Sequence, residues 1–299
     1  MPFVKFSRQN RDQQFLPVRS KTNLELTVIT HNVMGGVYAD QIVEGYARNR
    51  LMPDIACFQE FSEDPNPLSI FKKYFGIEYG LAGSFTCKLP KRTFGVAVLY
   101  NKKLFSSIAT HILRLPNPPL RPQEKIFSWL LSGNTKPYNR TALVMELNYL
   151  GRLLTVVNVH LSWEGGVSAR RAQVGHIFQE LEKLRIQGSV IFCGDFNMDA
   201  GSNGWDGFQS EFTKRGFREL SKDILWTHDN ASRFAFPEDR TAGARGFLRM
   251  LGGLGLNTRD KIDYIFVKDF GASITTPVDV MGSDHWPIVT HLMPSTAKA

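Results

Sequence analysis

Six short apolar runs, spread along the chain, each end on or beside a polar side chain that is costly to bury. The clearest is Val190-Ile191-Phe192-Cys193-Gly194-Asp195-Phe196-Asn197. A short β-branched and aromatic run that stops at glycine reads as a buried strand. Strand parity then places Asp195 and Asn197 on one face. Leu26 to Thr30 delivers His31 and Asn32 before Gly35-Gly36 breaks the pattern, and Asp54 to Phe58 delivers Gln59 and Glu60. Leu153 to Leu161 carries Asn158 and His160 on one face, Lys261 to Val267 carries Asp263, and Ser283-Asp284-His285 precedes Trp286-Pro287. One such group is readily satisfied as a cap or turn residue. Six together point to a common pocket, because buried carboxylates, amides and imidazoles need a metal, a substrate or one another. That pattern predicts a metal-assisted hydrolase.

Taken in order, Thr30-His31-Asn32, Gln59-Glu60, Asn158-Val159-His160-Leu161, Gly194-Asp195-Phe196-Asn197, Asp263-Tyr264-Ile265 and Ser283-Asp284-His285 resemble the endonuclease/exonuclease/phosphatase superfamily. This group includes AP endonucleases, DNase I, deadenylases, tyrosyl-DNA phosphodiesterases, inositol polyphosphate 5-phosphatases and neutral sphingomyelinases. The resemblance runs from about Leu24 to Leu292. It implies an α/β protein: a four-layer α-β-β-α sandwich with two central, mostly antiparallel mixed sheets and the site in the cleft between them. Residues 1–23 are then a basic extension, 24–293 the catalytic domain and 294–299 a tail.

The resemblance also implies roles. Glu60 is the expected direct ligand of Mg2+, with Asn32 and Asp284 beside it and Mn2+ as the substitute ion. Mg2+ takes oxygen ligands and keeps several waters, so few protein groups suffice. Asp195 and Asn197 match positions that orient or deprotonate the attacking water and bind a phosphate oxygen. His285 is expected on the phosphoryl oxygens with Asp263 on its other ring nitrogen, and His160 as a donor to a non-bridging oxygen. Arg140 and Asn158 are the candidates for substrate phosphate, although for Asn158 a structural role, bonding neighbouring loops, is favoured. His31 stands where the motif usually has Trp, and Met34 where AP endonucleases have an acidic residue.

Net charge of +8 and a pI near 9.4 favour phosphate-rich partners. Basic residues gather at Lys88, Lys91 and Arg92, at Arg114, Arg121 and Lys125, and at Arg240, Arg245, Arg249 and Arg259. Three cysteines without metal-ligand spacing argue against a disulfide framework or a zinc site. Neither a secretory h-region nor a spanning apolar stretch is visible, so an intracellular monomer, cytoplasmic or at the nucleoid or nucleus, is expected. Helices are predicted over Asp40–Leu51, Leu68–Phe75, Ser168–Arg185 and Gly207–Arg215. A strand is predicted over Phe94–Tyr100, and Thr141–Tyr149 should form a hairpin with Leu153–Leu161. Arg114–Lys136, with its prolines, reads as an irregular excursion. The Gly-rich Arg233–Asn257 reads as a substrate loop, Trp163 to Gly166 as cleft lining, and Trp226 and Trp286 as core. His111, His176, His228 and His291 read as surface or packing residues.

Nucleic acid is therefore the expected substrate of an endonuclease, exonuclease or DNA-adduct phosphodiesterase. His160-Leu161-Ser162, Arg170-Arg171-Ala172-Gln173 and the Ser-Asp-His-Trp ending are similar to tyrosyl-DNA phosphodiesterases. Two alternatives stand beside it. A lipid or inositol phosphate hydrolase would also use basic loops, though no dedicated apolar membrane hairpin is visible. A catalytically silent binding module would reuse the fold, but such modules lose key groups that are all filled here.

Overall fold

Alternation along each central strand decides the architecture. In the computed structural model, which describes residues 25–89, 92–126, 136–232, 250 and 258–294, neighbouring residues of one strand fill different cores. Ile191 and Cys193 enter one apolar cluster, whereas Phe192 between them enters another. Val156 and Val157, and Ile265 and Phe266, divide in the same way. A strand buried on both faces must lie in an inner layer.

The inner layers are two sheets. The elements in chain order are β1 (Leu26–Asn32), α1 (Ala39–Arg48), β2 (Ile55–Ser62), α2 (Pro65–Phe75), β3 (Tyr79–Leu89), β4 (Arg92–Asn101), β5 (Phe105–Arg114), β6 (Thr141–Tyr149), β7 (Arg152–His160), α3 (Gly166–Lys183), β8 (Ser189–Asp195), α4 (Trp205–Thr213), β9 (Arg218–Glu219), β10 (His228–Asp229), β11 (Arg259–Asp260), β12 (Asp263–Lys268), β13 (Phe270–Pro277) and β14 (Ile288–Pro294). One six-stranded sheet runs β13-β14-β1-β2-β4-β3, the other β5-β6-β7-β8-β12-β9, and β10 pairs only with β11. In each large sheet one pair is parallel, β1 with β2 and β7 with β8; the remaining pairs are antiparallel.

Three apolar clusters separate four layers, as the family resemblance implies. Leu26, Val28, Cys57 and Val98 of the first sheet meet Leu143, Met145, Ile191 and Ile265 of the second. Ile42 and Tyr46 of α1 and Phe71 and Phe75 of α2 cover the outer face of the first sheet through Ile29, Phe58 and Val289. Ile177 and Phe178 of α3 and Phe208 and Phe212 of α4 cover the second through Val157, Phe192 and Phe266. Phe212 stacks on Phe266 with centroids 4.0 Å apart. Emptying a position such as Phe192 would cost about 3–5 kcal/mol. All three cysteines are free and buried.

Helix starts depart modestly from expectation. The helix read as Leu68–Phe75 begins at Pro65, since proline fits the first turn, where no intrahelical N–H bond is lost. The predicted Ser168 and Gly207 starts move to Gly166 and Trp205. The Arg114–Lys136 excursion holds a short helical stretch at 122–126, and its residues 127–135 lie outside those described. Most of the predicted substrate loop, 233–249 and 251–257, also lies outside them, as do Lys91 and the 1–23 extension. Among the described residues no helix is long and apolar enough to cross a membrane.

Candidate active site

Strand register assembles the site. β7 and β8 align His160 with Asp195, and β8 and β12 align Asp195 with Asp263. Three adjacent strands of the second sheet thus present a histidine and two aspartates side by side. Gly194, just before Asp195, holds φ +142, and a Cβ there would stand 2.0 Å from the Val159 carbonyl oxygen. Only glycine lets β7 and β8 approach so closely at that point. In the first sheet Asn32 aligns with Gln59. Glu60 follows at a register shift in the β2–β4 pairing and takes a left-handed φ of +50. Such bulges re-aim a side chain at the cost of local strain and gather at functional sites. Asn197 lies beyond the end of β8 at a left-handed φ of +50, so a turn, and not the strand parity expected from the sequence, sets its direction. The 282–285 turn is fastened to the end of β1: Ser283 Oγ donates to the Asn32 carbonyl over 2.7 Å and accepts from the His285 N–H at 3.1 Å.

Asp195 is the hub. Its Oδ2 accepts from Asn32 Nδ2 at 3.0 Å, and its Oδ1 from the Asn197 N–H at 2.8 Å. Nε2 of His160 and Nε2 of His285 approach Oδ2 to 3.4 and 3.8 Å. Burial, then the nearby Asp263 carboxylate, pushes the Asp195 pKa up, while His285 and the two hydrogen bonds hold it back.

The two histidines are driven in opposite directions. Burial alone would depress His285, but the Asp263 carboxylate, bonded to Nδ1 at 2.8 Å, with Asp195 and Asp284, raises its pKa to about 10. His285 is therefore cationic at neutral pH. Burial, the Arg140 charge and His285 itself push His160 well below its usual value, so it is neutral. Burial, opposed by Arg140, raises Glu60 to about 7.

A divalent cation fits this donor set. Glu60 Oε2 is buried without a hydrogen-bond partner, and an orphaned carboxylate oxygen in a cleft calls for a cation. Glu60 and Asp284 supply hard oxygen donors, matching Mg2+. Asn32 Oδ1 accepts from the Met34 N–H at 3.0 Å and keeps a second lone pair. The bonds show Asn32 foremost as the anchor of Asp195.

Of the two residues read for substrate phosphate, Arg140 reaches the site and Asn158 does not. Arg140 is buried with Nη1 2.7 Å from His160 Nδ1. Asn158 donates its amide hydrogens to the Phe58 and Ala97 carbonyls at 2.9 and 2.8 Å and accepts from Gln59 Nε2 at 2.7 Å. Its amide is wholly committed to tying the second sheet to the first. Asn197 Nδ2 donates to the Leu161 carbonyl at 2.9 Å, which leaves its other amide hydrogen and its oxygen for a ligand.

Two further histidines, to which the motif order assigns no role, contribute to the site. His31 is buried and donates from Nε2 to the His285 carbonyl at 3.2 Å while Nδ1 accepts from the Tyr46 hydroxyl at 2.7 Å. It thereby braces His285. His228, read as surface or packing, stands against His285 with ring centroids 4.6 Å apart. Its contact with the site comes from the long-range pairing of β10 with the 284–286 turn, which no local motif announces. Arg259, read as part of a basic rim, lies 4.2 Å over the Trp226 ring and 3.7 Å from Asp229. Glu164 is buried, its Oε1 facing the Tyr138 N–H at 3.5 Å.

Comparison with known proteins agrees with this fold. The model of the Endonuclease/Exonuclease/phosphatase family matches residues 29–285. No curated protein sequence matches the chain. Among solved structures, an endonuclease/exonuclease/phosphatase from Bacteroides vulgatus is similar at 17% identity and a TM-score of 0.63, covering 91% of this chain and 99% of that one. The human Nocturnin catalytic domain with bound sulfate anion is similar at 17% identity and a TM-score of 0.60, covering 94% and 97%. D. rerio TDP2 complexed with single strand DNA product is similar at 15% identity and a TM-score of 0.60, covering 90% and 98%.

Proposed function

The chain belongs to the endonuclease/exonuclease/phosphatase family, and from that premise we propose that it is a Mg2+-dependent hydrolase of a phosphodiester in nucleic acid. Members of this family are hydrolases of phosphoester bonds. The observation that carries this reading is the buried Asp195 carboxylate, with one neutral and one cationic histidine within 3.8 Å. Residues 24–293 would form the catalytic domain, with 1–23 a basic extension and 294–299 a tail.

In this reading Asp195 orients and deprotonates the attacking water. Its raised pKa makes it a better base than an exposed aspartate, and the bonds from Asn32 and Asn197 fix its direction. Cationic His285, oriented by Asp263, binds the phosphoryl oxygens. Neutral His160 presents Nε2–H to a non-bridging oxygen, because Nδ1 is turned to Arg140. Arg140 adds positive charge behind the phosphate. Such pre-aimed donors stabilise charge as it builds, without reorganisation during the reaction. Glu60, Asp284 and Asn32 would hold Mg2+, with Mn2+ as substitute; when bound, the ion would neutralise phosphate oxygens.

The net charge of +8 supports nucleic acid as the polyanion. The sulfate in the Nocturnin domain and the single strand DNA product in the TDP2 complex are ligands of those proteins and guide the choice of substrates to test. The test is a metal-dependent cleavage panel: single-stranded DNA and RNA, abasic DNA, phosphotyrosyl-DNA, inositol phosphates and sphingomyelin, each across a salt series. Cleavage of a nucleic acid that weakens steeply with salt is expected. Turnover confined to sphingomyelin or inositol phosphates would overturn the substrate assignment.

A further inference from the structure

His228 heads β10, and its backbone is clamped along the 284–286 turn. The Asp229 N–H donates to the Asp284 carbonyl at 2.9 Å and the Trp286 N–H to the Thr227 carbonyl at 2.8 Å, with a bridge between His228 and His285. This clamp brings His228 Nε2 to 3.7 Å from Asp284 Oδ2. His228, Asp284 and His285 each bring a ligand-type atom within 4.8 Å of the others.

We propose that His228 Nε2 and Asp284 Oδ2 form a nitrogen–oxygen cation position that takes Mn2+ or a later first-row divalent ion in preference to Mg2+. Two donors on one such ion, each about 2.1 Å away, stand at most about 4.2 Å apart, so the observed gap accommodates an ion between them. His285 stays with Asp263 through Nδ1, leaving the other positions to water or a phosphate oxygen. The far nitrogen of the ring supports the assignment. His228 Nδ1 is buried without a hydrogen-bond partner and lies 4.0 Å from Asp260 Oδ2. Asn230 Nδ2 in turn donates to that carboxylate. The Asp260 carboxylate thus stands on the side of the ring from which a metal-bound histidine is usually backed, one short approach away from accepting the Nδ1–H. Plain packing accounts for the contact with His285 but not for two carboxylates facing the two nitrogens. Imidazole suits manganese and its heavier neighbours, whereas Mg2+ demands oxygen ligands.

The test needs no substrate, so it is separable from the hydrolytic reading. Mn2+ is titrated into the full chain and followed by electron paramagnetic resonance, with spin-echo modulation recording directly bound 14N. Wild type is expected to show histidine nitrogen coupling. His228→Gln should lose it, with Mn2+ binding weakened about tenfold or more and Mg2+ binding, read by competition, changed less than twofold. His228→Asn serves as the second variant, with the same loss of the nitrogen signal; it decides the matter if His228→Gln fails to fold by circular dichroism. Absence of 14N coupling in wild type, or its survival in His228→Gln, would overturn the proposal and leave a histidine packed between two carboxylates. An inactive wild type that passes this test would sink only the hydrolytic reading.

Discussion

Nη1 of Arg140 lies 2.7 Å from Nδ1 of His160, and both side chains are buried. A guanidinium can only donate, so Nδ1 must offer its lone pair and Nε2 must carry the proton. Arg140 thereby fixes the tautomer of His160 and turns its N–H toward Asp195, 3.4 Å away. Asp263 does the converse for His285, accepting from Nδ1 and favouring the cation. One arginine and one aspartate set two histidines in opposite states around a single carboxylate.

Replacing Arg140 with lysine keeps the charge but loses the planar donor fork. Arg140→Lys is expected to lower kcat about tenfold to a hundredfold. It should also convert the 15N spectrum of His160 from a single Nε2–H tautomer to a mixture. An unchanged 15N spectrum beside a fallen kcat would assign Arg140 to substrate contact alone.

Proton and cation compete at Glu60. Its carboxyl in the folded chain titrates near 7 instead of 4.5, so below pH 7 the protonated form must give up its proton to bind metal. Apparent Mg2+ affinity should fall about tenfold per pH unit below 7 and level off above it, as calorimetry at pH 5.5, 6.5 and 8 would record. The stability sign follows from the same shift. A raised carboxyl pKa means that the folded state holds the proton more tightly than the unfolded state, so metal-free stability falls as pH climbs from about 4.5 to 7. The full cost, about 3 kcal/mol for a shift of this size, is present at pH 8. Glu60→Gln should therefore stabilise the metal-free protein at pH 8 by an amount of that order in urea melts, and do little at pH 4. A destabilised Glu60→Gln at pH 8 would refute this account of Glu60.

Asn158 offers a clean division between fold and chemistry. Asn158→Ala would strand the Phe58 and Ala97 carbonyls between the sheets, while Gln59 Nε2 keeps the Thr30 hydroxyl and the Cys57 carbonyl. With about 1–3 kcal/mol lost per stranded buried group, partly relieved by relaxation, a drop of about 3 kcal/mol is expected. KM measured well below the lowered melting temperature should stay within about twofold. A raised KM with unchanged stability would put the amide on substrate instead.

The buried centre of this protein is legible from sequence and its periphery much less so. β7, β8 and β12 are apolar on both faces, and strand parity puts Asn158 and His160 on one face of β7, the face whose Leu154 and Val156 meet the opposing sheet. Edge strands lack that signature. β5 exposes Ile108 and Ile112, and β3 is interrupted by Gly80 and Gly83, so neither shows a continuous buried pattern. β13, another edge, contains a register shift between Ala272 and Thr275. The motif order gathered the site residues, but register decided their neighbours. That Asn158 faces two backbone carbonyls and that His228 meets Asp284 are outcomes of sheet-to-sheet and loop-to-loop packing, invisible to any local window.

The most direct test of the whole account is metal-dependent hydrolysis by Asp195→Asn. The carboxylate is the hub of the site, and an amide keeps its shape and one accepting oxygen while losing the charge and the ability to take a proton. With Mg2+ or Mn2+ present, kcat on a nucleic-acid phosphodiester should fall about a hundredfold to ten-thousandfold, with circular dichroism and melting temperature close to wild type. Undiminished turnover in that variant, or wild-type turnover indifferent to chelation of the metal, would contradict it.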